Sequence, residues 1–259
     1  YGIQIVNGIS EKYNLCFGLA KRKYSIRSLT HFSIGLKYKL NNLEFFNRNE
    51  ARDFINKNKP MAIIPTGSVE QHLNHLFIGM DINSATKIAE ELANKFSKDT
   101  IFYRPLNVGI AEHHMAFPGT MTLRVNTFIG VLTDVVNSMI RGGITKILFI
   151  NGHGGNTEPM RTAMQNINLE MKGLHSEIDT SEVRSHVDYM ELLNKDSKID
   201  IRYTSYWEMH NFKIIKNIIK DQSYPGHAGE YETSVALYLF PELVDNHARE
   251  SNALDTESD

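Results

Sequence analysis

Cysteine is nearly absent from the sequence, with Cys16 the single example. One thiol excludes an internal disulfide and any zinc site built from several thiolates, so a metal here would have to be held by histidine and carboxylate. A reducing compartment fits. No run of about eighteen apolar residues occurs, the length that a membrane-crossing helix needs, so no membrane partner is expected. Neither sign of charge dominates either: the formal net charge is -2 and the pI is about 6.6. That balance gives no electrostatic reason to expect nucleic acid or an anionic membrane as the main partner. A small-molecule substrate is the default expectation. Internal repeats and low-complexity tracts are missing as well.

What is present is enough for one large globular domain. With 259 residues, 41% of them apolar, the chain can bury a substantial core, and a second domain is not required. The ends differ from the rest. Residues 1–41 carry Lys12, Lys21, Arg22, Lys23, Arg27, Lys37 and Lys39 against one acid, Glu11. They read as a basic extension of unclear role ahead of a domain over 42–259. Such a bias also occurs in organelle transit peptides, so the expected location is cytoplasmic, with an organelle as the alternative. Because the first residue is Tyr1 and not Met, the true start of translation is expected to be missing or trimmed. The last stretch, ARESNALDTESD, is polar and is expected to fray.

Between the ends, strand-like and helix-like segments alternate. Apolar runs at 61–65, 101–106, 145–150 and 201–207 are short and partly β-branched or aromatic, as buried parallel strands are. Helical periodicity covers 84–97, with Ser84 as N-cap, and 126–141, with Gly142-Gly143 as a stop. It recurs from Thr157 to Leu174, with Pro159 in the first turn and Gly173 near the end. Residues 175–199 are polar and look inserted. This alternation predicts an α/β fold, layered, with a mainly parallel central sheet flanked by helices, whose ligands sit beyond the carboxyl ends of the strands.

Three clusters of His and carboxylate follow predicted strands or open a predicted helix. In GSVEQHLNHLFIGMD, Gly67 to Asp81, Glu70 and His72 project to one side if the backbone is extended; a solvated Glu beside a loop His is the competing reading. The run NGHGGN, 151–156, offers His153 among glycines that allow close approach of a ligand. It lacks the ending of a P-loop and the spacing of a dinucleotide fingerprint, which weighs against a phosphate cradle. In PGHAGEYETS, 225–234, a helix opening near Gly229 and closing before Pro241 puts Glu230 and Glu232 in its first turn, where the dipole favours carboxylates. Capping acids and a loop His are the bland alternative there.

Taken together, PTGSVEQH with Asp81 following, HHMAFPGT at 113–120, NGHGGN, SYW at 205–207 and HAGEYETS at 227–234 resemble the creatininase family of amidohydrolases, in family order and over roughly 42–245. The resemblance implies a layered α/β fold, two divalent metal ions per subunit (zinc, manganese or iron) and a homo-oligomer, commonly a hexamer. It also implies a metal-dependent hydrolase that cleaves a C–N bond of a small amide, lactam or formamide through a metal-activated water; the alternative is a silent scaffold of the same fold. Carried over by motif, Glu70, Asp81 and His153 are the expected ligands of one ion. His72 and Glu232 hold the other, with Asp81 bridging. His227 is the expected catalytic histidine, with Glu230 as its candidate acidic helper. Trp207 and His114 are expected to contact substrate, with His113 and His114 near the pocket rim and a tight turn at Pro118-Gly119.

The departures from creatininase itself are specific. Gly155 stands where that enzyme has an acid, which leaves Glu232 to supply the second ion's carboxylate and makes creatinine an unexpected substrate. Gly226 replaces the acid before the catalytic histidine. Leu73-Asn74 occupies the turn where the family has Gly-Pro, replacing a permissive and a rigid residue.

Overall fold

The computed structural model describes residues 41–177, 181, 183–209, 219 and 226–252. The basic extension predicted for 1–41 lies outside them, except for Asn41. Four strands, β1 Met61–Thr66, β2 Thr100–Phe102, β3 Lys146–Asn151 and β4 Asp200–Ser205, form one sheet in the order β2-β1-β3-β4. All three pairings are parallel. The helices are α1 Arg48–Asn58, α2 Met80–Lys95, α3 Val125–Arg141, α4 Thr157–Leu174, α5 His186–Asp196, α6 Glu230–Leu239 and α7 Asn246–Asn252.

Alternation of side chains along each strand builds two cores. Ala62, Ile64, Ile147, Phe149 and Ile201 turn to one face, where Phe128, Leu132 and Val136 of α3 and Met160, Met164 and Ile167 of α4 cover them. Ile63 and Ile150 turn to the other face and meet Ala89 and Ala93 of α2 with Tyr206 and Tyr231. Each large side chain buried this way contributes about 1.5–3 kcal/mol. The result is a sheet sandwiched between helices, as the alternating pattern predicts. Among the described residues no helix is long and apolar enough to cross a membrane.

The element bounds carry five corrections. The second strand stops at Phe102, short of the expected 106, although Tyr103 and Leu106 still donate to Ile63 and Pro65 of β1. The fourth strand ends at Ser205 because Tyr206–Met209 turn into a 3-10 helix. Helix α2 begins at Met80, four residues before the expected cap. Gly79 stands at the N-cap without a side-chain bond, and Ser84 is buried inside the helix with its hydroxyl on Met80 Sδ at 3.7 Å. The stretch 175–199 is not merely an insertion, since it contains α5, capped by Ser185. Part of the polar C-terminal stretch is helical too, in α7, while 253–259 lie outside the described residues.

The early start of α2 has a consequence for the site. Its first turn lies directly on the ends of β1 and β3: a Cβ at Gly67 would come 2.7 Å from Ile82, and one at Gly152 would come 2.2 Å from the Asp81 carbonyl. Only glycine allows that approach. The chain runs from β1 to β2 on one side and then returns to β3 on the other, so the crevice beyond β1 and β3 is the point where strand order reverses, where open α/β sheets bind ligands.

Candidate metal centre

Thr66 and Asn151 are paired across β1 and β3, and the two loops that follow them leave the sheet side by side. One brings Glu70 and His72; the other brings His153. Helix α2 adds Asp81 from its first turn, and α6 adds Glu232. His72 Nε2 lies 3.0 Å from Asp81 Oδ1 and 3.7 Å from Glu232 Oε2. His153 Nδ1 lies 2.9 Å from Asp81 Oδ2 and 3.2 Å from Glu70 Oε1. Asp81 therefore turns one oxygen to each imidazole. All five expected ligands come together.

Four of the five are sealed from solvent, with Glu70, His72, Asp81 and His153 each no more than 2% exposed. An isolated buried carboxylate is strongly unfavourable, and Glu70 Oε2 has no hydrogen-bond partner among the described residues. Its other oxygen, Oε1, lies 3.2–3.7 Å from nitrogens of His153, His227 and His114, and such a gathering of carboxylate and imidazole donors fits a divalent cation. Burial alone would lower the His72 and His153 pKa values, but Asp81, joined by Glu232 beside His72 and by Glu70 beside His153, raises them to about 9 and about 10. Burial raises Glu232 to about 7 against the pull of His72. Asp81 is held well below the usual carboxylate range, because His72 and His153 outweigh its burial. The protein without metal thus stores protons where a cation would sit.

The outer nitrogen of each expected ligand histidine meets a backbone carbonyl. His72 Nδ1 lies 3.1 Å from the Glu70 carbonyl and His153 Nε2 lies 2.9 Å from the Ile110 carbonyl. A carbonyl can only accept, so those nitrogens keep their hydrogens, and the inward His72 Nε2 and His153 Nδ1 are the ones able to offer a lone pair. Polar residues brace this arrangement. Asn156 Oδ1 accepts from the Ile110 N–H at 3.0 Å, and Asn151 bonds both the N–H and the carbonyl of His153. At Gly155 a Cβ would fall 2.3 Å from the Ile110 carbonyl and 2.4 Å from His153 Nε2. The carbonyl that orients His153 fills the place of any side chain at 155.

The remaining expected residues divide. His227 joins the cluster, its Nδ1 3.6 Å from Glu70 Oε1; burial, then repulsion from His72, lowers it to about 3. His114 is buried and not at the rim as expected, with Nε2 3.7 Å from Glu70 Oε1, and desolvation lowers its pKa. His113 is exposed and stacks on His153. The Pro118-Gly119 turn forms, with Gly119 at φ +92° and the Thr120 N–H on the Phe117 carbonyl. Glu232 accepts from the Ala228 N–H at 2.6 Å, whereas Glu230 opens α6, half-buried, outside the close pairs described above. Trp207 is half-buried and edge-on to Tyr206 in the second core. Among the described residues, donor atoms within 4.8 Å of one another make three sets: Glu70, His72 and Asp81; His72, His227 and Glu232; Glu70, His114 and His227.

Sequence reasoning missed Gln71, Asn151, Asn156 and His75. Gln71 touches both His114 and His227 through its amide nitrogen, at 2.9 and 3.0 Å. His75 lies 2.9 Å from Thr233 Oγ1 and ties the loop after β1 to α6. The two asparagines flank NGHGGN symmetrically, which is the one signal that could have singled them out.

Several known proteins share this arrangement of chain. A curated mycofactocin precursor peptide peptidase from Mycolicibacterium smegmatis is 30% identical over 115 residues, 43% of this chain and 46% of its own length. Creatinine amidohydrolase from Pseudomonas putida is 24% identical over 194 residues, 71% of this chain and 66% of its own. The aligned stretches thus span about half to two thirds of these relatives. A crystal structure of creatininase matches with a TM-score of 0.65 at 20% identity, covering 81% of this chain and 76% of that one. A zinc–zinc form of a mutant creatininase and a manganese form of creatininase match at 0.64, also at 20% identity, over 81% and 80% of this chain and 76% of each of theirs. Residues 44–259 match the family described as creatininase, creatinine amidohydrolase, and the chain belongs to that family.

Proposed function

We propose that the protein is a metal-dependent hydrolase that breaks a C–N bond in a small amide, lactam or formamide. The observation that supports this most is the convergence of Glu70, His72, Asp81, His153 and Glu232 around buried carboxylate oxygens, of which Glu70 Oε2 has no partner among the described residues. We place one divalent ion on Glu70, Asp81 and His153 and a second on His72 and Glu232, with Asp81 shared. Zinc, manganese and iron all accept imidazole and carboxylate. When bound, such ions supply a Lewis acid and a water whose pKa falls to roughly 7.

The chain's own residues do the rest. Asp81, with an oxygen on each imidazole, sets the separation of the two positions. The carbonyls of Glu70 and Ile110 hold the ligand rings in the tautomer that binds a cation. His227, neutral and facing Glu70, stands where its N–H can bond to the departing nitrogen, which gains its proton from the attacking water as the bond breaks. The occluded position at 155 removes the acid found in creatininase itself, so we read the substrate as an amide other than creatinine. Homo-oligomerisation, as a hexamer, belongs to the same reading.

Metal analysis of the purified protein, with an assay over lactams, formamides, cyclic amides and a short peptide, tests this. Close to two divalent ions per chain and turnover of one class are expected. Protein that holds no divalent metal after incubation with zinc or manganese overturns it in favour of a silent scaffold, and turnover of the peptide alone moves the substrate to a peptide bond.

A further inference from the structure

Gln71 lies between Glu70 and His72 and takes no part in the expected ligand set, yet every polar atom of its side chain is used. Its Oε1 accepts from the Leu73 N–H at 2.9 Å. A backbone N–H can only donate, so this bond fixes which end of the amide is oxygen. The Nε2 group, with two hydrogens, then lies 2.9 Å from His114 Nδ1 and 3.0 Å from His227 Nε2. The two rings stack with centroids 4.2 Å apart, so one amide group serves both.

We propose that Gln71 is a positioning residue that sets the tautomers of His114 and His227, so that both turn an N–H, and not a lone pair, toward Glu70 and the reacting atoms. This rests on the hydrolase reading for its chemical meaning. A nitrogen that accepts from the amide carries no hydrogen of its own in a neutral ring, so the hydrogen sits on the opposite nitrogen. Those opposite nitrogens, His114 Nε2 and His227 Nδ1, are the ones that face Glu70 Oε1, at 3.7 and 3.6 Å. A carboxylate oxygen attracts an N–H and repels a lone pair, so the far side of each ring agrees with the near side. The donor set of Glu70, His114 and His227 is therefore not a third metal position, despite its compactness. His114 and His227 act as neutral hydrogen-bond donors to substrate oxygen or nitrogen, while their outer nitrogens are closed to protons by the amide.

The test is long-range proton–nitrogen NMR of the histidine rings in the full chain, metal-free and zinc-loaded, for wild type and Gln71→Glu. That variant keeps the shape but replaces the donor by an acceptor. In wild type the hydrogens are expected on His114 Nε2 and His227 Nδ1. In Gln71→Glu they move to His114 Nδ1 and His227 Nε2, zinc content holds, and kcat falls by about 100-fold with KM within about 3-fold, the scale of a lost acid–base partner. Wild-type hydrogens on the opposite nitrogens, or tautomers that the substitution leaves unmoved, overturn the proposal. The wild-type spectra decide this even if the variant fails to fold. Tautomers that switch as expected in a protein that hydrolyses none of the amides support the role of Gln71 and overturn the hydrolase reading instead.

Discussion

The two sides of the crevice treat the same side chain in opposite ways. On the side built from the strand ends, His72 and His153 rest their outer nitrogens on backbone carbonyls and turn inward a nitrogen that can bind a cation. Across from them, His114 and His227 rest their outer nitrogens on an amide donor. Four imidazoles within a few ångströms thus fall into two kinds, and the atom behind each ring decides which. Composition cannot express that difference: ligand and donor are both histidine.

Breaking the first side has the largest expected effect. His153→Ala removes a neutral nitrogen and leaves Glu70 and Asp81 as neighbouring buried charges with less cation to offset them. Metal occupancy and turnover are expected to fall together, turnover by roughly 10³-fold or more, as read by metal analysis beside the assay. Breaking the second side separates the two readouts. His227→Ala is expected to keep its metal while turnover drops by about 100-fold; equal loss of metal in both variants would put His227 among the ligands.

The comparison sharpens with pH. The folded-state values of His72 and His153, about 9 and about 10, lie above the ordinary 6.5. Stability from their pairing with Asp81 and Glu70 is complete below 6.5 and is lost as pH rises through 9 and 10. Ionisation of Glu232 near pH 7, beside Asp81, acts in the same direction. The melting temperature of metal-free protein is expected to fall by about 5 °C or more between pH 7 and 10, and zinc binding at pH 7 to release protons, visible by calorimetry in buffers of different ionisation enthalpy. A melting temperature independent of pH over that range contradicts the pairing. The smallest effect concerns the turn that aims Gln71. Leu73 holds φ +53°, a left-handed conformation that costs a β-carbon-bearing residue about 1–2 kcal/mol. Leu73 is 44% exposed, so Leu73→Gly gives up little burial and is expected to raise stability by no more than about 1 kcal/mol, since glycine loses more entropy on folding. Denaturant unfolding measures it.

The sheet and the residues that converge beyond it were readable in advance for one reason: both are written in side-chain type at fixed spacing. The runs before GSVEQH and NGHGGN are apolar because β1 and β3 are buried on both faces, and α4 carries its periodicity over the whole of 157–174. The start of α2 was not readable, because Gly79 caps it without a side-chain signal and Asp81 is drawn into the first turn by packing on Gly152. Helix α5 was hidden by its polarity. Gln71, Asn151 and Asn156 escaped for a related reason. An uncharged amide has no periodicity and no pairing rule along the chain, and its role depends on which atoms the fold sets around it.

The pairing of Thr66 with Asn151 makes the sheet a ruler. Neighbouring strands lie about 4.8 Å apart, somewhat more than the roughly 3–4 Å between two donors that share one ion at about 2 Å bonds. The loops that carry Glu70 and His153 start from that spacing and close it to 3.2 Å between Glu70 Oε1 and His153 Nδ1. The same ruler is unforgiving along its length. Removing one residue from β3 would carry His153 about 3.3 Å down the strand and turn alternate side chains to the wrong face, far beyond the ~0.2 Å that a metal bond tolerates. Loops at the crevice rim can change length freely, whereas β1 and β3 cannot.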